Sequence, residues 1–235
     1  LDTLTPEETH TWKSGDTLLL SGKMLTGRDA AHKKLVDMID RGEPLPVDFT
    51  NRIIYYVGPV DPVRDEVVGP AGPTTATRMD KFTRTMLEKA GLAGMIGKAE
   101  RGQIAIDAIR DNKAVSMIAV GGAAYLVAKA ITKSTLLAFP ELGMEAIYEF
   151  EVKDMPVTVS VDSTGESVHI EGPKIWSKKI AEQIAAQNTL KLINNNMYNH
   201  SALIRISKQL FPDKNVFQLT KQEQSQVLSI YNEFN

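Results

Sequence analysis

The spacing of apolar residues changes at Gly172-Pro173, and this change limits how the chain can fold. Before it, short β-branched and aromatic runs alternate with helical patterns in an irregular order, which fits neither a regular βαβ series nor a sandwich. After it, apolar residues recur at helical spacing, at Ile180, Ile184, Leu190 and Ile193. We therefore expect an α+β (mixed α/β) domain followed by a small all-helical C-terminal extension.

Hydrophobic periodicity and turn residues place the individual elements. Strands are predicted over residues 17–20, 53–57, 115–120, 136–139, 146–152 and 156–161. Helices are predicted over residues 26–40, 75–90, 102–112, 121–131, 201–210 and 220–234, and from residue 176 to a break at Asn194-Asn195-Asn196. The order of these elements supports the mixed fold class.

Several short segments carry more specific predictions. Thr5-Pro6 and Thr220 are predicted to cap helices, the latter in a capping box with Glu223. The segment 162–165 is predicted to be a hairpin turn, with a return strand at 168–170. The Gly- and Pro-rich segment 58–73 is predicted to be a long ordered loop, and loops of that length are usually functional.

The composition excludes several classes of function. The net charge of -2 lacks the basic excess of a nucleic-acid-binding surface, and no run approaches the ~18 apolar residues of a membrane helix. With no cysteine, the chain cannot form disulfides or hold a thiolate-bound metal or cluster by itself. The four histidines show no metal-ligand spacing. Because the chain starts with Leu1 and no signal peptide follows, we expect it to be cut from a longer polypeptide.

Three cations lie close to glycines or to predicted helix starts, and together they suggest an anion site. Arg28 follows Gly27, Arg78 follows the run Thr74-Thr75-Ala76-Thr77, and Lys98 follows Gly97 in a Gly-rich turn. Unpaired N–H groups and the helix dipole favour an anion at a helix N-terminus, and arginine matches a carboxylate bidentately. If the three converge, they suit a dicarboxylate. The alternative is three ordinary solvated cations, with the threonines acting only as N-caps.

Two further features leave alternatives open. His32 follows Arg28 by four residues on the same helix face, so it either contacts a ligand or has no role. The run Gly121-Gly122-Ala123-Ala124 follows a strand but lacks the pattern of a phosphate-binding loop, and tight strand-to-helix packing explains its small residues better.

These motifs resemble, in the right order, those of the C-terminal domain of class I fumarases, iron–sulfur hydro-lyases. The resemblance covers about residues 1–180. The wider family includes the β subunit of L-tartrate dehydratase and mesaconate-forming enzymes. The matching blocks are Ser21-Gly22 with residues 26–33, residues 69–80, residues 94–98, residues 120–125 and residues 141–146.

The resemblance implies a fold, an activity and a site. It implies a swivelling β/β/α domain over residues 1–180 that clamps fumarate during its reversible hydration to (S)-malate in the tricarboxylic acid cycle. It maps substrate binding onto Arg28, Thr74, Arg78 and Lys98, and it makes Thr74 a catalytic proton acceptor. A four-iron four-sulfur cluster would be bound by three cysteines of an absent N-terminal domain, with no metal bound by this chain.

The same resemblance implies a cytoplasmic homodimer that contacts neither membrane nor nucleic acid and whose C-terminal domain is inactive alone. The segment 181–235 matches nothing in the family, and we expect it to pack against a neighbouring domain or subunit, or to bind a partner. Two alternatives remain: the β subunit of a tartrate dehydratase or mesaconate-forming hydratase, and a non-catalytic module that binds dicarboxylates or assists assembly.

Overall fold

The computed structural model describes residues 2–120, 122, 124–194 and 200–233, and side chains within these ranges except 188–194 and 200. The chain divides into two compact units, Leu1–Glu171 and Gly172–Asn235. None of the described helices is long and apolar enough to cross a membrane. The boundary expected near residue 180 stays a prediction.

Helices and strands alternate irregularly, and the predicted α+β class is confirmed. The strands are β1 (Thr17–Thr26), β2 (Ile53–Tyr55), β3 (Gly94–Gly97), β4 (Val115–Ala119), β5 (Ile131–Ala138) and β6 (Ile147–Val161). The helices are α1 (Pro6–Thr11), α2 (Asp29–Asp40), α3 (Asp80–Glu88), α4 (Gln103–Asp111), α5 (Ala124–Lys129), α6 (Val168–Asn194), α7 (His200–Leu210) and α8 (Lys221–Glu233). Short 3-10 helices cover Ala76–Met79, Pro140–Glu145 and Val216–Gln218.

The strands form one sheet in the order β1-β2-β3-β4-β6-β5. Strands β1 to β4 run parallel, whereas β6 runs antiparallel to β4 and β5. Strand β6 also pairs with β1, from Thr17 opposite Thr158 to Leu25 opposite Glu149. This pairing closes β1, β2, β3, β4 and β6 into a ring, with β5 attached to β6.

Two apolar clusters lie on opposite faces of the parallel strands, because successive side chains of a strand point to opposite sides. Ile54 and Met95 belong to the cluster that includes α2, α3 and α4 residues such as Leu35, Met86 and Ile109. The second cluster contains the alternate strand residues, among them Ile53, Tyr55, Ile96, Met117 and Phe150. The first unit therefore has a core built entirely from its own residues.

The second unit has a small core of its own. Its buried residues come from α7, α8, the 3-10 helix before α8 and the residue after that 3-10 helix: Leu203, Val216, Leu219, Val227 and Tyr231. The predicted capping box of α8 is confirmed: Glu223 N donates to Thr220 Oγ1 (3.3 Å) and Thr220 N donates to Glu223 Oε2 (2.7 Å). The predicted helix break at 194–196 falls mostly outside the described residues.

The prediction of two separate strands at 146–152 and 156–161 is wrong, because these residues form the single strand β6. It runs unbroken through Asp154, where the backbone φ is 52° and the pairing with β1 shifts register between Leu20 and Gly22. Asp154 N donates to Ser21 Oγ at 2.9 Å. A bulge therefore replaces the predicted gap.

The predicted return strand at 168–170 is wrong, because α6 begins at Val168. The turn before it does form: Asp162 Oδ1 accepts from the N–H groups of Thr164 (2.9 Å) and Glu166 (3.2 Å). Beyond the turn, Ser167 forms one antiparallel bridge with Val161. A longer return strand would meet Val157 and Thr158, which already pair with both β1 and β4. The chain enters a helix instead.

The glycine-rich segment 94–97 is also not a turn. It is β3, which lies between β2 and β4. A Cβ on Gly94 would lie 3.3 Å from side-chain atoms of Ile53, Leu4 and Val115. Glycine here permits close packing within the sheet.

Candidate functional site

The candidate site lies where the parallel strands end. Arg28 comes two residues after β1, and Lys98 directly follows β3. Strands β1, β2 and β3 run parallel, so their carboxyl ends share one edge of the sheet, the usual place for a ligand in such sheets. The fold thus brings two of the three predicted cations to one edge.

Thr74 is fixed at the same edge by backbone hydrogen bonds. Thr74 N donates to Tyr56 O, just after β2, at 2.7 Å, and Lys98 N donates to Thr74 O at 3.1 Å. Ala76 N then donates to Lys98 O at 2.8 Å, so this segment continues the sheet between the ends of β2 and β3. The half-buried Thr74 and the exposed Lys98 therefore occupy neighbouring positions.

Gly97 makes this arrangement possible. A Cβ there would lie 2.9 Å from Ala76 Cβ, 3.0 Å from Tyr56 Cδ2 and 3.1 Å from Thr74 O. Any larger residue would push the Thr74 segment away from β3. Gly97 therefore sets the distance between Thr74 and the backbone that carries Lys98.

Arg28 is the N-cap residue of α2, with no capping hydrogen bond from its own side chain. Its Nη2 donates to Glu145 Oε1 at 2.8 Å, and Ala30 N donates to Glu145 Oε2, also at 2.8 Å. Arg28 Nη1 lies only 3.0 Å from where a Gly58 Cβ would stand. The guanidinium is therefore held beside the end of β2, and its side chain is 25% exposed.

Arg78 reaches the same edge through Asp29. Its Nη2 lies 2.7 Å from Asp29 Oδ2, and its Nε donates to Asp29 Oδ1 at 3.2 Å. Its side chain is 54% exposed, so the guanidinium is open to solvent. Asp29 follows Arg28 in the chain, so the two arginines are linked through α2.

The structure corrects two details of the predicted anion geometry. Lys98 does not lie beside a helix start, because it follows β3 and bonds to the Thr74 segment. Thr75 occupies the N-cap position of the 3-10 helix, yet its side chain makes no capping hydrogen bond. In both cases strand pairing determines the local backbone, so the candidate anion-binding groups come from a sheet edge as well as from a helix N-terminus.

His32 is a buried residue of this region rather than an open ligand. It is 1% exposed, and its Nδ1 donates to Arg28 O at 2.9 Å. Its ring lies edge-on to Tyr56, with the ring centroids 5.3 Å apart. Burial lowers the pKa of His32 to about 4, so the ring is neutral near pH 7. His32 lies beside Arg28, as the helix spacing predicts. Its role there is to hold the Arg28 backbone through the hydrogen bond to Arg28 O.

A buried ion pair between Asp80 and Arg101 lies behind the site, and the residue spacing does not predict it. Arg101 Nε donates to Asp80 Oδ1 at 2.7 Å, and its other nitrogens donate to Thr83 Oγ1 (2.6 Å) and Ser116 Oγ (3.1 Å). Asp80 Oδ2 accepts from Gly102 N at 2.6 Å. The pair joins α3, the residues that lead into α4, and β4, and so fixes the end of the segment that carries Arg78.

The donor groups of this region fit anions rather than metal ions. Within the ranges that the structure describes, no group of three or more His, Asp or Glu side chains could hold a metal ion. The chain has no cysteine, so none of its side chains offers a thiolate to an iron–sulfur cluster. The arginines, Lys98 and the Thr74 hydroxyl instead offer hydrogen bonds and positive charge to carboxylates.

Residues 1–172 match the family model described as Fumarase C-terminus. The chain therefore belongs to the Fumarase C-terminus family, as the sequence resemblance indicated. The match covers the first compact unit, including all four site residues.

Individual relatives agree with this family. The chain is 37% identical over 156 residues to "Fumarate hydratase 2" of Leishmania major, which covers 66% of this chain and 28% of that protein. It is 39% identical over 149 residues to "Fumarate hydratase class I, anaerobic" of Escherichia coli K12, covering 63% and 27%. It is 30% identical over 188 residues to "L(+)-tartrate dehydratase subunit beta" of the same bacterium, covering 76% and 90%. The chain thus spans little more than a quarter of the length of these two fumarate hydratases.

Proposed function

We propose that this chain is the substrate-binding part of a class I fumarate hydratase, which reversibly hydrates fumarate to (S)-malate. The observation that carries the proposal is one edge of the sheet, where Arg28 follows β1 and the neighbouring Thr74 and Lys98 extend β2 and β3. Arg78 is held beside Arg28 through its contact with Asp29. Fumarate carries two carboxylates, and this edge presents two arginines and a lysine. Two relatives of this chain that are named fumarate hydratase, at 37% and 39% identity, support the choice of substrate.

In this proposal the two arginines and the lysine bind the substrate carboxylates in different ways. Arg28 and Arg78 are held by carboxylates behind them, Glu145 and Asp29, and present their remaining donors to the substrate. Among the described residues, Lys98 forms no ion pair, so its ammonium is available as a point charge. Fixing both ends of a dicarboxylate orients the double bond for attack and lowers the entropy cost of reaction.

Thr74 is the catalytic residue of this chain in the proposal. Its backbone is hydrogen-bonded on both sides, to Tyr56 and Lys98, which fixes the point at the edge from which its side chain extends. There its hydroxyl takes the proton from the substrate carbon next to the hydroxylated one while it gives its own proton to a base of the N-terminal domain, and both transfers reverse during hydration. Neutralisation of the charge that develops on the carboxylate falls to the neighbouring cations.

The rest of the enzyme is part of the proposal. A four-iron four-sulfur cluster belongs to a separate N-terminal domain with its own cysteines, because this chain has none. We further propose a cytoplasmic homodimer in which this chain is inactive without that domain. The greater length of the fumarate hydratases that it matches leaves room for such a domain.

A second candidate is the β subunit of a tartrate dehydratase. One observation favours it: this chain covers 90% of the Escherichia coli subunit of that name, whereas it covers 27% of a fumarate hydratase. The same cations would bind tartrate, which is also a C4 dicarboxylate. A mesaconate-forming hydratase would use the edge in the same way.

Anaerobic fumarate hydration, followed by the loss of ultraviolet absorbance, tests the proposal. The chain alone is compared with the same chain joined to a cluster-bearing N-terminal half. Activity in the joined form only is the expected result. Activity in the isolated chain would overturn the dependence on a second domain. Activity in neither would overturn fumarate as substrate, and L-tartrate and mesaconate would be assayed with the same preparations.

A further inference from the structure

Glu145 uses both of its carboxylate oxygens at the candidate site. One oxygen accepts from Arg28 Nη2 and the other from Ala30 N, each at 2.8 Å. The side chains of Arg28 and Glu145 are only 25% and 21% exposed, so solvent screens the pair less than an open surface pair. A charge-assisted contact of this kind orients both partners.

The contact with Ala30 makes Glu145 the cap of α2. The N-cap residue Arg28 has no side-chain oxygen, so the free N–H groups of the first turn need an acceptor from elsewhere in the chain. Glu145 supplies it from the end of the 3-10 helix Pro140–Glu145, 115 residues later in the sequence. A carboxylate at this end of a helix also interacts favourably with the helix dipole.

The surroundings leave the guanidinium of Arg28 little freedom. A Gly58 Cβ would lie 3.0 Å from Arg28 Nη1 and 3.2 Å from Met144 O, so the guanidinium passes through a narrow space beside the backbone. Arg28 Nε is buried and has no hydrogen-bond partner among the described residues. Glu145 is therefore the group that determines how Arg28 is turned.

We propose that Glu145 is the positioning residue of Arg28, holding its guanidinium ready for a substrate carboxylate. This inference rests on the proposed function, because it assigns Arg28 to that substrate. Glu145 does not touch the substrate; it acts through Arg28. A neutral amide cannot replace it, since Gln has one acceptor oxygen for two donors. Its NH₂ would face either Ala30 N or the guanidinium, and the flexible guanidinium is the partner that would be released.

The test compares Glu145→Gln with Arg28→Lys and with the double variant, each in the intact enzyme. We expect Glu145→Gln to lower kcat/KM about tenfold, which corresponds to about 1.4 kcal/mol. We also expect the effect of Arg28→Lys on kcat/KM to be smaller in the Glu145→Gln background, because there the Arg28 guanidinium is already out of position and contributes less to binding. The matched control is Glu141→Gln, which makes the same change in the same 3-10 helix but at a residue paired with Lys34.

Three results would overturn the proposal. Additive effects of the two substitutions would show that Glu145 does not act through Arg28. A lower melting temperature with unchanged kcat/KM would show that Glu145 is only a helix cap. A higher kcat/KM in Glu145→Gln would show that the negative charge of Glu145 only repels the anionic substrate, since removing that charge strengthens the binding of an anion.

If the unmodified enzyme hydrates no C4 dicarboxylate, the proposed function fails while the positioning role is still testable. The readout is then the Nε–H signal of Arg28 in ¹⁵N spectra of this chain, assigned with Arg28→Lys. Increased mobility of that signal in Glu145→Gln, but not in Glu141→Gln, supports positioning. An unchanged signal overturns it.

Discussion

The carboxylate of Asp80 and the guanidinium of Arg101 are 2.7 Å apart, with side chains 8% and 0% exposed. Their other contacts, to Thr83, Ser116 and Gly102 N, satisfy most of the remaining donors and acceptors. Buried charges of this kind tolerate the loss of water only while each has its partners. The pair therefore ties the position of α3 to the integrity of α4 and β4.

Removing the buried carboxylate is expected to destabilise the first unit strongly. Asp80→Ala leaves the Arg101 charge without a counter-ion in the interior, which costs about 3–5 kcal/mol of unfolding free energy. Chemical denaturation measures the loss. The control is Asp40→Asn, which removes an exposed carboxylate 3.7 Å from Lys89 and should change stability by less than about 0.5 kcal/mol. Equal effects of the two substitutions would contradict the importance of the buried pair.

His32 makes stability depend on pH. Its folded pKa of about 4 lies below the value of 6.5 for an exposed histidine, so between these values the unfolded chain binds the extra proton. The free energy of unfolding should therefore be highest above pH 6.5 and fall by about 3 kcal/mol as the pH drops from 6.5 to 4. Denaturation of the parent chain and of His32→Leu at a series of pH values measures this. An identical pH slope in both would assign the effect to other groups.

Gly97→Ala should disturb the site more than the fold. The added Cβ would meet Ala76 Cβ at 2.9 Å, and relief requires the Thr74 segment to move away from β3. We expect a destabilisation of about 1–3 kcal/mol and a large loss of dicarboxylate binding, measured by denaturation and calorimetry. Gly172→Ala is the control, since its Cβ would have no neighbour within 4 Å and it lies inside α6. Unimpaired binding in Gly97→Ala would show that the Thr74 position is not critical.

Arg78→Ala should abolish dicarboxylate turnover without unfolding the first unit. The Arg78 side chain is 54% exposed and contacts Asp29 at the site, so its loss removes charge from the edge rather than from the core. Steady-state rates and the thermal midpoint are measured together. Arg84→Ala removes an equally exposed arginine, paired with Glu88 and Asp111, and should leave the rate unchanged. An intact rate in Arg78→Ala would contradict the assigned site.

A chain that ends at residue 180 should remain folded. Both apolar clusters of the first unit consist of residues before 162, and the third cluster lies wholly after residue 200. We expect a single cooperative thermal transition of the shortened chain, with a midpoint close to that of the parent. Loss of a cooperative transition would show that residues beyond 180 belong to the first core.

The sequence predicts features that depend on neighbouring residues and misses those that depend on distant ones. The helix cap at Thr5 and the capping box at Thr220 are local contacts, and both form as predicted. The strand at 94–97 was missed because glycine lowers strand propensity, and only close packing against Ala76 and Val115 explains it.

The candidate site shows the same division. The family motifs single out Arg28, Thr74, Arg78 and Lys98, and whether they bind substrate stays a prediction. The carboxylate behind Arg28 could not be predicted from spacing, because Glu145 is 117 residues away in the chain. Asp80 begins α3 and Arg101 lies in the loop before α4, so this pair, 21 residues apart in the chain, meets only after folding.

The pairing of β1 with β6 also sets the order in which the first unit can be completed. Leu25 and Glu149 are neighbours in the sheet but lie far apart in sequence, so their contact closes a very long loop. Such non-local contacts slow folding. During synthesis, β1 leaves the ribosome before the other strands of this unit, and its β6-facing backbone groups stay unpaired until β6 has followed. The earliest strand of the unit is thus among the last to be fully paired, and in that interval the nascent chain exposes a strand edge that is open to misassembly.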